Sequence, residues 1–158
     1  MTYKIYRPTI KKMDLINDIQ ILSGTKKAPG QEKGKSVLAG KQILIVEDDV
    51  SLANILEEKL THEGFSVEKA ANGQEGLDKT VALKPNLILL DLMMPIMSGQ
   101  IMLHRLREMP DFKHLPVIVL TNAGDADNLR DAHFQNAYFL IKSNVSLKEI
   151  VKSVRDAI

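Results

Sequence analysis

From residue 41 onward, short apolar runs alternate with stretches in which apolar side chains recur every three or four positions. The runs at residues 42–46, 65–70, 87–90, 117–120 and 137–141 are typical of strands, most of them buried on both faces of a sheet. The stretches at residues 49–63, 76–83, 100–109, 125–134 and 146–157 have helical periodicity. The pattern predicts five strands alternating with five helices, with a turn at Asn72-Gly73 before the second helix.

This alternation predicts the fold class. Strands that are joined by helices form parallel sheets covered on both faces, so we expect an α/β fold with a doubly wound, five-stranded (βα)5 sheet. In such folds, ligands bind outside the carboxyl ends of the strands. These ends are therefore where chemistry is expected.

Four of the five predicted strands end in residues that can bind a cation or a phosphate. They are Glu47 and Asp48, Asp91, Thr121, and Lys142. Carboxylates that meet at one edge repel one another, and a hard divalent cation such as Mg2+ relieves that repulsion. The Asp91 carboxylate can then attack phosphorus, while the Lys142 ammonium and the Thr121 hydroxyl bind phosphate oxygens. Asp49, next in line, is expected to be the N-cap of the first helix.

Four motifs surround these strand ends: ILIVEDD at residues 43–49, LLDLMMPIMSG at 89–99, LT at 120–121 and YFLIK at 138–142. Asp48 precedes Asp91 by 43 positions, Asp91 precedes Thr121 by 30, and Thr121 precedes Lys142 by 21. In this order and spacing the motifs resemble the receiver domain of two-component response regulators, over about residues 42–158. The resemblance implies the flavodoxin-like strand order 2-1-3-4-5.

The resemblance also implies a metal site and a phosphorylation site. Asp91 matches the phosphoacceptor, which receives a phosphoryl group from a phosphohistidine on a histidine kinase or a histidine phosphotransfer protein. Glu47 and Asp48 match the acidic pair that binds Mg2+ (or Mn2+) together with Asp91, and Met93 matches the position whose backbone carbonyl completes the metal site. The expected protein is a phosphorylated switch and not an enzyme, although it assists its own phosphorylation and dephosphorylation.

Three further residues match the switch of the family. Lys142 matches the lysine that pairs with phosphate, and Thr121 matches the hydroxyl that moves toward it. Phe139 lies three positions before the lysine, where the family has its switch aromatic. The implied mechanism is a population shift in which phosphate draws Thr121 inward, Phe139 follows, and the surface offered to a downstream protein changes.

Two departures keep alternatives open. Ser143 follows Lys142 where the family usually has proline, and Asn122 follows Thr121 where it prefers a small residue. They permit one alternative, a pseudo-receiver, which is a binding module that is not phosphorylated. A separate alternative is a receiver module cut from a hybrid kinase or a multi-domain regulator, with the N-terminal segment as residual linker. A phosphatase of the haloacid-dehalogenase type is disfavoured because Met93 stands where that class needs a second acid.

Residues 1–40 differ in charge from the rest of the chain. They carry a net charge of +5, whereas residues 41–158 carry −4. Within the basic segment, residues 11–22 have helical periodicity and residues 25–40 have the composition of a flexible linker. We therefore expect a basic N-terminal extension at 1–40 and a receiver domain at 41–158, with no nucleic-acid binding by the latter.

The composition excludes several classes of protein. The chain has no cysteine, which excludes disulfides, thiolate metal sites and a thiol nucleophile. Its apolar runs are much shorter than the roughly 18–20 residues that a membrane span needs, and the N-terminus lacks a secretory pattern. We expect a cytoplasmic protein with no membrane contact.

Overall fold

A computed structural model of the chain describes residues 40–122 and 137–158. The helix predicted at 11–22 and the helix predicted at 125–134 lie outside these residues, as does the predicted linker at 25–40 apart from Gly40.

A five-stranded parallel sheet forms the centre of the fold, with the strand order β2-β1-β3-β4-β5. Its strands are β1 (Gln42–Val46), β2 (Ser66–Ala70), β3 (Leu87–Asp91), β4 (Val117–Thr121) and β5 (Ala137–Ile141). Both the parallel pairing and the order 2-1-3-4-5 confirm the predicted fold class. Because β1 and β3 are parallel neighbours in the sheet, their carboxyl ends are adjacent.

The described part of the chain contains four α-helices and a short 3-10 turn. They are α1 (Val50–His62), α2 (Gly73–Leu83), α3 (Gly99–Glu108), the 3-10 turn (Lys142–Asn144) and α4 (Leu147–Ala157). The helices α1 and α4 pack on one face of the sheet, and α2 and α3 pack on the other. Helices on both faces explain why the central strands are apolar throughout.

Alternate residues of each strand contribute to two separate cores. In β1, Ile43 and Ile45 pack with α1 and α4, whereas Leu44 and Val46 pack with α2 and α3. All four side chains are fully buried. Burial stabilises the fold by about 1.5–3 kcal/mol for each such side chain, so the sheet interior is the main source of stability.

Helix caps set the observed helix boundaries. Asp49 is the N-cap of α1, as predicted, and accepts hydrogen bonds from the backbone N–H groups of Ser51 and Leu52. The chain bends at Asn72, but the turn predicted at Asn72-Gly73 is wrong at Gly73, which is the first residue of α2. Asn72 is instead the N-cap of α2 and accepts the N–H of Glu75 at 3.0 Å, so that the helix begins three residues earlier than its apolar pattern indicates.

Smaller corrections apply to other boundaries. The strands β3 and β4 each extend one residue further than predicted, to Asp91 and Thr121. Ser98 caps α3, which therefore begins at Gly99, and Ser146 forms a capping box with Glu149 at the start of α4. Both strand extensions bring predicted site residues into the sheet ladder.

Across residues 40–122 and 137–158, every helix is too short or too polar to span a lipid bilayer.

Candidate functional site

Two buried carboxylates lie side by side at the carboxyl edge of the sheet. Asp91 is the last residue of β3, and Glu47 directly follows β1, where its N–H donates to the carbonyl of Ala70 at 3.0 Å. The register pairs Val46 with Leu90, which places the two acids next to each other. Each residue is only 4% exposed. The parallel register thus brings together acids that are 44 positions apart in the sequence.

A third acid completes a cluster. Glu47, Asp48 and Asp91 each offer a carboxylate oxygen, and these oxygens lie within 4.8 Å of one another. Asp48 is exposed, whereas the other two are buried. Like charges at this separation repel strongly where solvent is excluded. A cation beside the cluster would relieve this repulsion.

Lys142 supplies a cation in the structure. It opens the 3-10 turn after β5, and its Nζ lies 3.1 Å from Glu47 Oε1, 2.9 Å from Glu47 Oε2 and 3.1 Å from Asp91 Oδ2. The Lys142 side chain is 19% exposed. The lysine thus bridges the two buried carboxylates, and its pairing with Glu47 was not predicted from the sequence.

The pKa values of the bridged groups shift for identifiable reasons. Burial raises the pKa of Glu47, and the negative charge of Asp91 adds to this; together they outweigh the hydrogen bond and positive charge of Lys142. Burial by itself lowers the pKa of Lys142, but its hydrogen bonds and attraction to Glu47 and Asp91 dominate, so that the pKa is raised. The site favours a protonated lysine and penalises a second full negative charge.

The donor set fits a hard divalent cation. Glu47 Oε2 is buried and, among the described residues, accepts no well-aligned hydrogen bond even though Lys142 Nζ lies close to it. A buried oxygen with an unused lone pair, next to two further carboxylates, matches the ligand preference of Mg2+. Met93 lies in the loop after β3 and is 56% exposed, and its N–H lies 3.4 Å from Asp91 Oδ1.

The two residues predicted to form the switch lie on the neighbouring strands β4 and β5. Thr121 ends β4 and is 1% exposed, and its hydroxyl makes a long hydrogen bond of 3.4 Å to the carbonyl of Asn122. Phe139 is half-buried in β5, pairs in register with Val119, and packs against the core on the side of α2 and α3. Tyr138, beside it, packs against the opposite core.

A glycine keeps the loop after β3 close to Asp91. The N–H of Gly99 donates to the carbonyl of Leu92 at 2.9 Å. A Cβ atom at position 99 would lie 1.9 Å from the Asp91 carbonyl oxygen, which no side chain can tolerate. Only glycine permits the backbone at position 99 to come this close to Asp91. The motif match shows a glycine here but does not show this steric reason for it.

Residues 43–155 match the family model for the response regulator receiver domain. Response regulator ArlR of Staphylococcus aureus is 34% identical to this chain over 115 residues, which make up 72% of this chain and 51% of that protein. The chain thus spans about half the length of the curated relatives it matches.

Solved structures match about three quarters of the chain. Response regulator protein TrrA from Thermotoga maritima, in complex with Mg2+ and BeF, has a TM-score of 0.65 at 27% identity, with 75% of this chain and 99% of that chain covered. Chemotaxis response regulator CheY4 of Vibrio cholerae has a TM-score of 0.68 at 24% identity, covering 76% and 100% of the two chains, and shares the fold.

Proposed function

Because the chain belongs to the response regulator receiver family of two-component signalling, we propose that Asp91 accepts a phosphoryl group. The donor is a phosphohistidine on a histidine kinase or a histidine phosphotransfer protein. An oxygen of Asp91 forms a bond to phosphorus as the P–N bond of the donor breaks, and the electron pair leaves with the imidazole nitrogen. The product is an aspartyl phosphate.

One observation carries this proposal: Asp91 and Glu47 are buried side by side and share Lys142, next to a third carboxylate. Buried acids cost free energy unless a cation compensates them. Phosphoryl transfer uses the same arrangement, because it requires positioned cations around a carboxylate nucleophile and little other chemistry from the protein.

We propose that Glu47, Asp48 and Asp91, with the backbone carbonyl of Met93, hold Mg2+ or Mn2+. The bound cation would neutralise negative charge on the transferred phosphoryl group. The charges of Glu47 and Asp91 keep Lys142 protonated beside this site.

Lys142 and Thr121 are the proposed phosphate partners. The Lys142 ammonium already touches Asp91, so that it can pair with a phosphate oxygen bonded to the same carboxylate after a small movement. The Thr121 hydroxyl has one long hydrogen bond, to Asn122, which costs little to exchange for a phosphate oxygen. In this proposal Phe139 responds to Thr121 and alters the surface near β4 and β5.

The remaining assignments concern the whole protein. We propose that residues 41–158 are the receiver and residues 1–40 a basic extension, that the protein works in the cytoplasm as a switch and not as an enzyme, and that its output is contact with a downstream protein. The match to only half of its relatives' length also supports a receiver that is part of a longer regulator.

Phosphorylation by a small donor tests the proposal. The full chain, incubated with acetyl phosphate and Mg2+, should gain one phosphoryl group by intact-protein mass spectrometry, and the modification should be labile to base and to hydroxylamine. Asp91→Asn should abolish it, since an amide is not a nucleophile at phosphorus. Chelation of Mg2+ should reduce it strongly.

Asp49→Asn is the matched control. It removes a neighbouring carboxylate by the same chemical change, but asparagine still caps α1, so that phosphorylation should persist. If the wild-type chain gains no Mg2+-dependent phosphoryl group, or if Asp91→Asn still gains it, the proposal is wrong. The first result would favour the pseudo-receiver.

A further inference from the structure

The loop between β3 and α3, residues 92–98, contains a strained turn at Ile96. The backbone φ angle of Ile96 is +68°, and the N–H of Met97 donates to the carbonyl of Pro95 at 2.8 Å. A hydrogen bond between residues two apart, around a residue with positive φ, defines the rare form of γ-turn. For a β-branched residue this backbone conformation is a genuine outlier and costs free energy.

The side chain of Ile96 does not compensate for this cost. It is 86% exposed, so that it gains almost nothing from packing. A strained conformation persists only when the surrounding structure holds it. The restraint must therefore come from the residues that flank Ile96.

Two backbone hydrogen bonds and a buried side chain supply the restraint. At the end of the loop, Gly99 donates to the carbonyl of Leu92 at 2.9 Å. One residue before the end of the loop, the carbonyl of Met97 accepts the N–H of Gly73 at 2.9 Å, and the Met97 side chain is 7% exposed. Gly73 belongs to α2, so this bond connects a different helix to the loop beside Asp91.

The geometry at the start of α2 explains why Gly73 makes this bond. The first N–H groups of a helix have no partner within it. The side chain of Asn72 satisfies the N–H of Glu75, and the N–H of Gly73 is directed out of the helix to Met97. A Cβ atom at position 73 would lie 2.7 Å from the Met97 carbonyl oxygen and 3.0 Å from that of Ser98. Any other residue at position 73 would displace the loop.

We propose that Gly73 is a positioning residue for the metal site, because its N–H holds the 92–98 loop in the conformation that presents Met93 to the carboxylate cluster. The inference rests on the proposed function, in which the Met93 carbonyl is a ligand. Gly73 touches neither the cluster nor the phosphoryl group. It acts through Met97, four residues beyond Met93.

The test compares Mg2+ binding by the wild-type chain and by Gly73→Ala, using calorimetry. Alanine keeps the N–H, but its Cβ should push the Met97 carbonyl away and break this hydrogen bond, which should weaken Mg2+ binding by about threefold to tenfold. In chains labelled with 13C at the methionine methyl groups, the resonances of Met93, Met94 and Met97 should shift or broaden without Mg2+ present. A merely structural role would not confine the change to the loop.

Gly76→Ala is the matched control in the same helix. It makes the same substitution three residues later, where the new Cβ meets the flexible end of Met102 and a methyl group of Val46. We expect its Mg2+ affinity to stay within twofold of the wild-type value, because the Met102 side chain can shift to make room for the new Cβ atom. Equal losses in Gly73→Ala and Gly76→Ala would overturn the inference.

A rescue experiment tests the strain itself. Ile96→Gly removes the cost of the positive φ, so that the loop depends less on its anchor. In the Gly73→Ala/Ile96→Gly double variant, at least half of the lost Mg2+ affinity, on a logarithmic scale, should return. If the two substitutions are simply additive, Gly73 does not act by holding the strained turn.

A measurement on the wild-type chain covers the case in which Gly73→Ala does not fold. Saturating Mg2+ should slow hydrogen exchange at the Gly73 amide more than at the Glu75 amide, which is bonded within its own helix turn, because metal binding and the loop restraint are linked. Equal slowing at both amides would overturn the inference. A wild-type chain that binds no Mg2+ would instead contradict the proposed function, and the inference with it.

Discussion

The interior of β3 and its carboxyl end lie only two residues apart and perform opposite tasks. Leu89 and Asp91 are on the same face of the strand, and both are buried. Leu89 lies among aliphatic side chains from β1 and β4 and from the helices α1 and α4. Asp91 lies against another carboxylate and a lysine. Burial of the Leu89 side chain stabilises the folded state, whereas burial of the Asp91 carboxylate destabilises it.

The apolar core stabilises the fold, whereas the buried carboxylates at the carboxyl edge of the sheet destabilise it. Burial of a carboxylate is unfavourable, and burial, with the charge of Asp91 adding to it, raises the pKa of Glu47. Lys142 reduces the cost without removing it. At the carboxyl edge, two buried carboxylates thus face each other and share the ammonium group of Lys142.

The largest expected effect on stability comes from comparing separate substitutions of Leu89 and Asp91. Leu89→Ala should lower the free energy of unfolding by about 2–5 kcal/mol because it leaves a cavity in a packed core. Asp91→Asn, which keeps its shape, should change it by less than about 1 kcal/mol, because relief of the repulsion with Glu47 offsets the lost ion pair with Lys142. Urea denaturation followed by circular dichroism measures both. A large loss in Asp91→Asn would mean that the edge also contributes to stability.

The next effect concerns the cation that bridges the two acids. Lys142→Met keeps the aliphatic stem but leaves Glu47 and Asp91 facing each other, and it should cost about 1–3 kcal/mol of unfolding free energy at neutral pH. Mg2+ should then stabilise this variant more than the wild-type chain, because the metal no longer competes with an ammonium group. Thermal unfolding with and without Mg2+ measures this difference. Identical stabilisation by Mg2+ in both chains would show that Lys142 and the metal act independently.

A smaller effect should appear in the pH dependence of stability. Because the folded-state pKa of Glu47 is raised, the folded chain holds this proton more tightly, and stability is lost as the pH rises from about 4.5 toward neutrality. Glu47→Gln cannot ionise and should therefore gain stability relative to the wild-type chain over that interval. Denaturation at several pH values without metal measures the gain.

Glu149→Gln is a control of opposite sign for the pH experiment. Hydrogen bonds from the Ser146 backbone and then from its side chain lower the pKa of Glu149, so that its contribution is present above its ordinary pKa and is lost as the pH falls. This variant should lose stability relative to the wild-type chain at neutral pH. If both variants shift in the same direction, a general charge effect explains the result better than burial of Glu47.

The smallest effect tests the strained turn beside the site. Ile96→Gly should raise the free energy of unfolding by about 0.5–1 kcal/mol, since relief of a positive φ outweighs the extra entropy of glycine in the unfolded chain. Little packing is lost, because Ile96 is exposed. A decrease in the urea midpoint would show that the Ile96 side chain has a stabilising contact.

Particular elements show how far the sequence predicts this fold. Apolar periodicity predicts β1 and β5 with correct bounds, because strand interiors must be apolar wherever helices cover both faces. It misplaces the start of α2, since Gly73 and Gln74 carry no apolar signal and the helix begins at the Asn72 cap. The cap is a local polar interaction that an apolar pattern does not record.

The sequence likewise predicts some features of the candidate site and not others. The sequence places acids and a lysine at strand ends, and the parallel fold then predicts that they meet at one edge. The sequence does not predict that Lys142 contacts both oxygens of Glu47, because this depends on side-chain reach across the sheet. Nor does it predict the positive φ of Ile96, which local preferences oppose.

By itself, the amino-acid sequence determined the alternation of strands and helices, the fold class and the residues offered at the strand ends, because periodicity and residue chemistry are local properties. Only the tertiary structure decided that Glu47 and Asp91 share one lysine and that Gly73 of α2 holds the loop after β3. These contacts join segments far apart in the chain, and their geometry depends on how the whole sheet packs.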